Sequence, residues 1–249
     1  MPHLPNLDHE NELNSQGYEL IAGIDEVGRG ALAGPVVASA VILPTRASLP
    51  WFERVRDSKE LDAKKRETLF GLINQEAVAV GVGIVPAKII DSMNILKATK
   101  LAMMQAVENL LTQPTFLLID RITLLQCPIA QRGITRGDKL CLSIACASII
   151  AKVTRDHIME EFDQVYPGYG FAHHKGYGTT EHMSCLRRLG PSSIHRLYFA
   201  PVRNLIASQR SGHPASGHSE GVPILSGRPE NLVQGELPEG SGDGPSGSW

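Results

Sequence analysis

Four acidic residues stand at the ends of apolar segments. Asp25 and Glu26 close the run LIAGI, Asp120 closes TFLLI, and Asp138 follows Gly137 just before a long apolar stretch. Solvated acids at loop starts are common, but carboxylates at the edge of a core are costly unless they are paired or bind a metal. An all-oxygen ligand set suits a hard cation such as Mg²⁺ or Mn²⁺.

Such a carboxylate cluster is suited to two-metal phosphodiester hydrolysis. One ion activates the attacking water and the other stabilises the leaving oxygen of an in-line displacement. Asp156 is an alternative fourth ligand, but the pattern places it in the middle of a helix. Asp138 is preferred because it lies at an element boundary, where the chain can enter a site.

The glycines after the acid pair allow a different interpretation. GRGALAG, at 28–34, fits a relaxed dinucleotide-binding fingerprint, in which a helix begins at the glycines and faces a pyrophosphate. Here Pro35 and the β-branched run VVASAVIL follow, which predicts a strand. A nucleotide-cofactor enzyme is therefore disfavoured, and titration with NAD(P) or FAD would test for one.

The elements that must position these residues form a mixed pattern of strands and helices. Apolar and β-branched runs predict strands over 18–25, 35–43, 77–85, 115–120 and 128–135. Helical periodicity and caps predict helices over 63–76, 86–93, 95–111, 140–166 and 179–190. The order indicates an α/β domain with a mixed sheet flanked by helices.

Charge is unevenly distributed along the 249 residues. The formal net charge is −2, but residues 1–16 and 209–249 each carry −3, which leaves +4 on 17–208. Within that core, 121–155 holds six Lys or Arg and one acid. A basic face of this kind is compatible with a polyanionic partner or with an ordinary solvated surface.

The terminal segments and the cysteines indicate the cellular compartment and the domain organisation. The four cysteines include no CxxC pair, which fits free thiols in a reducing compartment. The N-terminus does not resemble a signal peptide and no run is long enough to span a membrane, so we expect a cytoplasmic protein with no membrane partner. We expect a flexible acidic segment over 1–16, one domain over 17–207 and a disordered Gly/Ser/Pro-rich tail over 208–249.

Six motifs follow one another along the chain: GIDEVGRGALAGPVVASAVIL, DSK at 57–59, LLID at 117–120, RGD at 136–138, IACASIIAKVTRD at 144–156 and YPGYGFAHHKGYGT at 166–179. Together they resemble the motifs of ribonuclease HII, the bacterial type 2 ribonuclease H, and the resemblance covers about 20–202. It implies a ribonuclease H-like fold with a small C-terminal helical region. It also implies cleavage of the RNA strand of RNA/DNA hybrids, nicking of DNA 5′ to an embedded ribonucleotide, and a role in removing ribonucleotides from DNA.

The resemblance also implies roles for individual residues. Asp25, Glu26, Asp120 and Asp138 match four metal-binding carboxylates of the family, which would hold Mg²⁺ or Mn²⁺. Gly28, Arg29 and Gly30 match a loop that senses the ribose 2′-OH through its main chain, Tyr177 a tyrosine that stacks on a sugar, and Ser58 and Lys59 phosphate contacts. Glycine suits such a loop because it lets the main chain approach closely.

Two positions depart from the family pattern, and one rival function stays open. Arg121 follows Asp120 where relatives usually have Gly, which puts the local turn in doubt, whereas Cys146 in place of Ala is nearly isosteric. A non-catalytic nucleic-acid-binding protein on the same fold would lack the four acids. The partners that the resemblance implies are RNA/DNA hybrids and ribonucleotide-containing duplexes. A monomer is the default expectation, because a compact fold with no obvious extra apolar face needs no second copy.

Overall fold

The computed structural model describes residues 4–44 and 49–211, and its strands form a five-stranded mixed sheet. The strands are β1 (Ile21–Val27), β2 (Val36–Ile42), β3 (Ala79–Val85), β4 (Phe116–Asp120) and β5 (Ala130–Ile134). Their order is β3-β2-β1-β4-β5; β1 is antiparallel to β2 and parallel to β4. β2 and β3 are antiparallel, and β4 and β5 are parallel. The predicted mixed sheet is confirmed.

Helices cover both faces of the sheet. They are α1 (Asp8–Ser15), α2 (Ala63–Glu76), α3 (Ala87–Met93), α4 (Ile95–Glu108), α5 (Gly137–Leu140), α6 (Leu142–Val165), α7 (Phe171–His174), α8 (Thr180–Leu189) and α9 (Ala200–Ser211). Residues of α3 and α4 share one core cluster with the sheet, and residues of α2 and α6 share another. The site-bearing strand β1 is therefore central and buried.

The helices approach the sheet closely where strands carry glycine. A Cβ at Gly23 in β1 would overlap the α6 main chain at Ser143 and Ile144. A Cβ at Gly83 in β3 would overlap the α4 main chain at Ala102. These glycines fix the spacing between the sheet and each helix, because any larger side chain would push the layers apart.

The N-terminal segment differs from the expected flexible segment over 1–16. Residues 8–15 form α1, whose Leu13 is buried in a cluster with Ile21, Leu118 and Ile144. Glu10 is also fully buried. The helix is fixed by these tertiary contacts, which a mostly polar sequence does not reveal.

Two further boundaries differ from the expected ones. The predicted helix over 140–166 is interrupted at Cys141, whose extended backbone (φ −114°, ψ 123°) separates α5 from α6. After α8, α9 belongs to the small C-terminal helical region that the resemblance implies, although helical periodicity did not predict it, and it continues to Ser211, past the tail boundary expected at 208. The remainder of the expected tail, 212–249, lies outside the described residues. No helix within the described ranges is long and apolar enough to cross a membrane.

Candidate active site

The four predicted carboxylates line one cleft at the end of the central strands. Because β1 and β4 are parallel, with Ile24 opposite Ile119 as their last pair, the next residue of each strand, Asp25 and Asp120, lies beside the other. Gly137 N–H donates to Asp120 Oδ1 at 2.9 Å, which ties the short helix α5 to β4. The cleft, of about 320 Å³, is lined by Asp25, Glu26, Arg29, Asp57, Lys59, Asp120, Arg121, Arg136, Asp138 and Lys139.

Crowding of acids perturbs their protonation. The pKa of Asp25 is raised well above its usual range by burial and then by the charges of Glu26 and Asp120. The pKa of Asp138 is raised by burial and by the charges of Asp57 and Asp120. Each anion is thus disfavoured by its surroundings, so a bound cation would stabilise the ionised cluster.

Asp25 is the most enclosed of these acids and has its own hydrogen-bond support. Its Oδ1 accepts from Glu26 N–H at 2.8 Å. The Ser148 hydroxyl, on α6, lies close enough to the same carboxylate to lower its pKa, and Ser58 Oγ lies 2.9 Å from Ser148 Oγ. Ser58 is only 3% exposed, so it lies behind Asp25 rather than at the cleft surface expected of a phosphate contact.

Glu26 carries an observation that favours a metal. Arg29 Nη1 donates to its Oε1 at 3.1 Å, while its Oε2 is buried and bonded to no group of the described chain. Burial raises its pKa and Arg29 opposes that rise. An orphaned carboxylate oxygen among like charges fits an oxygen-liganded divalent cation. Across the described ranges, no three acidic, His or Cys side chains are already drawn together as a ligand set.

Asp57 is a cleft residue that sequence reasoning did not select. It is 7% exposed, its Oδ1 accepts from Lys59 N–H at 3.0 Å, and Lys139 Nζ lies 3.5 Å from its Oδ2. Lys59, whose side chain is mostly exposed, also reaches Asp138 at 3.9 Å. The available signal is the DSK segment at 57–59, from which the resemblance assigns roles only to Ser58 and Lys59. A fifth carboxylate thus faces the cleft beside two lysines.

Two arginines at the rim adopt the left-handed backbone that favours glycine. Arg121 has φ 59° and Arg136 has φ 61°. The turn at Arg121 is intact, because Arg121 N–H donates to Ile134 O and Ile122 N–H to Asp120 O. The left-handed backbone explains why glycine suits this position, and the arginine accepts a strain of about 1 kcal/mol. Both side chains line the cleft, where they supply positive charge.

The Gly28-Arg29-Gly30 loop continues directly from β1 past the acids. Gly28 has φ 91°, and a Cβ there would overlap the Arg155 side chain, so the fold itself requires glycine. Gly30 is exposed, lacks a left-handed φ, and has open space where a Cβ would lie. Only Gly28 is therefore demanded by internal packing, and Gly30 faces outward.

Tyr177 lies beside this loop and outside the carboxylate cleft. Its ring packs under the Arg155 guanidinium, with 5.3 Å between Cζ and the ring centroid. Its carbonyl accepts from His182 Nδ1 at 2.9 Å, and His182 Nε2 lies 3.1 Å from His195 Nε2. His195 Nδ1 accepts from Ser192 N–H, so the chain of donors fixes one neutral tautomer for each ring.

Comparison with known proteins identifies the family. The family model described as ribonuclease HII matches residues 22–202. The chain belongs to the ribonuclease HII family. It is 55% identical over 202 residues to a ribonuclease HII of Dehalococcoides mccartyi, with 81% of this chain and 95% of the relative covered.

Solved structures agree with the observed topology. Ribonuclease H2 from Pyrococcus horikoshii has a TM-score of 0.65 at 26% identity, covering 77% of this chain and 99% of that one. A Bst ribonuclease HIII solved in complex with Mn²⁺ has a TM-score of 0.57 at 20% identity, covering 77% and 70%, a likeness of fold. The ribonuclease H-like fold is thereby confirmed, and family membership makes the chain an endoribonuclease H, a phosphodiester hydrolase.

Proposed function

We propose that this ribonuclease H cleaves the RNA strand of RNA/DNA hybrids and nicks duplex DNA 5′ to embedded ribonucleotides, leaving 3′-OH and 5′-phosphate ends. The main support is the shared cleft of Asp25, Glu26, Asp120 and Asp138, with the buried, unpartnered Glu26 Oε2 among them. From the family resemblance we add a role in ribonucleotide removal from DNA, and from the sequence features we add a cytoplasmic, monomeric protein.

The same four carboxylates would hold Mg²⁺ or Mn²⁺. When bound, the ions would lower the pKa of an attacking water and offset charge on the leaving oxygen. The chain's own residues prepare that site. Ser148 lies beside Asp25 and lowers its pKa, Gly137 N–H holds Asp120, and Arg29 binds one oxygen of Glu26 and leaves the other without a partner in the described chain. The solved Bst ribonuclease HIII with Mn²⁺ is consistent with this metal class.

Substrate binding is proposed for the basic rim and the glycine loop. Lys59, Arg121, Arg136 and Lys139 border the cleft and can contact phosphates. The outward Gly30 leaves room for a ribose, whose 2′-OH separates RNA from DNA. Tyr177 would stack on the sugar next to the loop.

Asp120→Asn tests the metal assignment. We expect cleavage of a hybrid, and of a duplex with one ribonucleotide, to fall by roughly 10²-fold or more with Mg²⁺ or Mn²⁺, because one anionic ligand is lost. Duplex binding should survive, since the basic rim is unchanged. Asp156→Asn is the matched control, because Asp156 is ion-paired to Lys152 on α6 at 2.6 Å. Near-wild-type cleavage by Asp120→Asn would overturn the assignment.

A further inference from the structure

Two fully buried arginines, Arg155 of α6 and Arg196 before α9, lie under the loop that follows β1. We refer to residues 28–35 as the recognition loop. Neither arginine faces the carboxylate cleft, and neither is assigned a role by the proposed function. Their contacts nevertheless connect the elements proposed to bind the ribonucleotide.

Arg155 links the recognition loop to the segment that carries Tyr177. Its Nε donates to Pro35 O at 3.0 Å and its Nη2 to Ala33 O at 3.1 Å. Its Nη1 donates to Lys175 O at 2.9 Å, and the guanidinium covers the Tyr177 ring. One planar group therefore holds both segments.

Arg196 holds the loop from its other side. Its Nη1 donates to Arg29 O at 2.9 Å, and its Nε and Nη2 donate to Gly34 O at 3.1 and 3.0 Å. Nη2 also donates to Pro35 O at 3.1 Å. The loop carbonyls thus point inward to the arginines. The N–H groups of Arg29 and Gly30 donate to no described residue and are left for a ligand.

The charges of the two arginines are not neutralised by ion pairs. Among the described residues, both guanidinium groups donate only to main-chain carbonyls, and neither forms a salt bridge. Burial and the neighbouring charge of Arg155 lower the pKa of Arg196 to about 9. Two like charges buried together are costly for a structural tie alone, and a polyanion laid on the recognition loop would offset that cost.

We propose that Arg155 and Arg196 are positioning residues for ribonucleotide recognition, with Arg155 coupling the recognition loop to Tyr177. The inference rests on the proposed function and adds residues to it. The arginines hold the loop main chain at a fixed distance from the tyrosine ring, so that one sugar meets both.

The test compares binding and cleavage by Arg155→Lys and Arg196→Lys with the wild type. Lysine keeps the charge but cannot reach several carbonyls from one planar group. Affinity is measured in EDTA for a DNA duplex with one ribonucleotide and for the same duplex in all-DNA form. We expect the ratio of the affinity for the ribonucleotide-containing duplex to that for the all-DNA duplex to fall at least tenfold in both variants. In cleavage assays, we expect KM to rise while kcat changes less than threefold.

Leu69→Ala is the control for a merely structural role, because Leu69 is buried in the core cluster shared by α2 and α6. It should lower the melting temperature and leave the affinity ratio unchanged. If both arginine variants melt earlier yet keep the wild-type ratio, the positioning role is overturned. If Arg155→Lys does not fold, the affinity ratio of Arg196→Lys alone tests the positioning role. A wild-type protein that shows no preference for the ribonucleotide would instead overturn the proposed function.

Discussion

Two neighbouring glycines, Gly28 and Gly30, have different physical reasons to be glycine. Gly28 combines φ 91° with a Cβ position taken by Arg155, whereas Gly30 has neither constraint. The fold explains the first glycine and leaves the second to be explained by a ligand. Substitution by alanine at each position separates these causes.

We expect Gly28→Ala to lower the free energy of unfolding by about 1–3 kcal/mol, because the residue is strained and displaces Arg155. We expect Gly30→Ala to leave stability unchanged or raise it by about 0.5 kcal/mol. Under the proposed function, its methyl group would lie between the main chain and the ribose, lowering kcat/KM by roughly 10- to 100-fold. Urea unfolding and steady-state cleavage measure the two effects. Wild-type cleavage by Gly30→Ala would contradict the assigned contact.

At the scale of single residues, the sequence is most informative where one segment carries the signal. Asp25 and Glu26 lie near the end of the apolar strand β1 and both line the cleft, while their metal-binding role stays a prediction. Asp57 and Ser148 escape such reasoning because their roles arise only when distant segments pack around Asp25. The burial of Ser58 behind Ser148 is likewise a tertiary fact, 90 residues apart in sequence.

Helix α1 shows how one element can be hidden in a polar sequence. Glu10 Oε1 accepts from Ser143 N–H at 2.9 Å and lies 3.1 Å from Cys141 Sγ, both at the start of α6. A carboxylate from one helix thus caps another, 133 residues away. The central strands were predictable because their apolar runs are continuous, whereas this cap depends on a long-range contact.

We expect Glu10→Ala to lower the free energy of unfolding by about 2 kcal/mol, because the first turn of α6 loses its acceptor in a buried setting. Glu12→Ala is the control on the same helix, since Glu12 forms a solvent-exposed ion pair with Arg132 and should matter much less. Urea unfolding compares the two. An equal loss in both variants would show that α1 contributes only as a whole helix.

At the scale of the whole molecule, buried titratable groups make the folding stability depend on pH in two opposite senses. The pKa of His195 is lowered to about 4 by burial and then by the charge of His182, so the unfolded chain takes up this proton first, near pH 6.5. Its contribution to stability is therefore present above about 6.5 and is lost as pH falls toward 4. Asp25, Glu26 and Asp138, with raised pKa values, act in the opposite sense.

Comparing the wild type with His195→Gln isolates the contribution of His195 to the pH dependence of stability, because both proteins contain the same buried acids. We expect the wild type to be the more stable at pH 7.5, and its advantage to shrink by about 2 kcal/mol on lowering the pH to 5, at about 1.4 kcal/mol per pH unit. Urea unfolding at the two pH values measures this. An advantage that does not change with pH would mean that His195 is not neutral in the fold.

The close contact at Gly23 bears on which phosphodiester bond of the substrate the enzyme cleaves. The main chain of β1 rests on that of α6 with no room for a side chain, so the helix cannot slide along the strand. Ser148, which supports Asp25, and Arg155, which holds the recognition loop, stand on that same helix about 10 Å apart along its axis. Under the proposed function, α6 sets the distance between the recognition loop and the carboxylate cleft. The distance between the recognised sugar and the cleaved phosphodiester bond is therefore fixed by the fold.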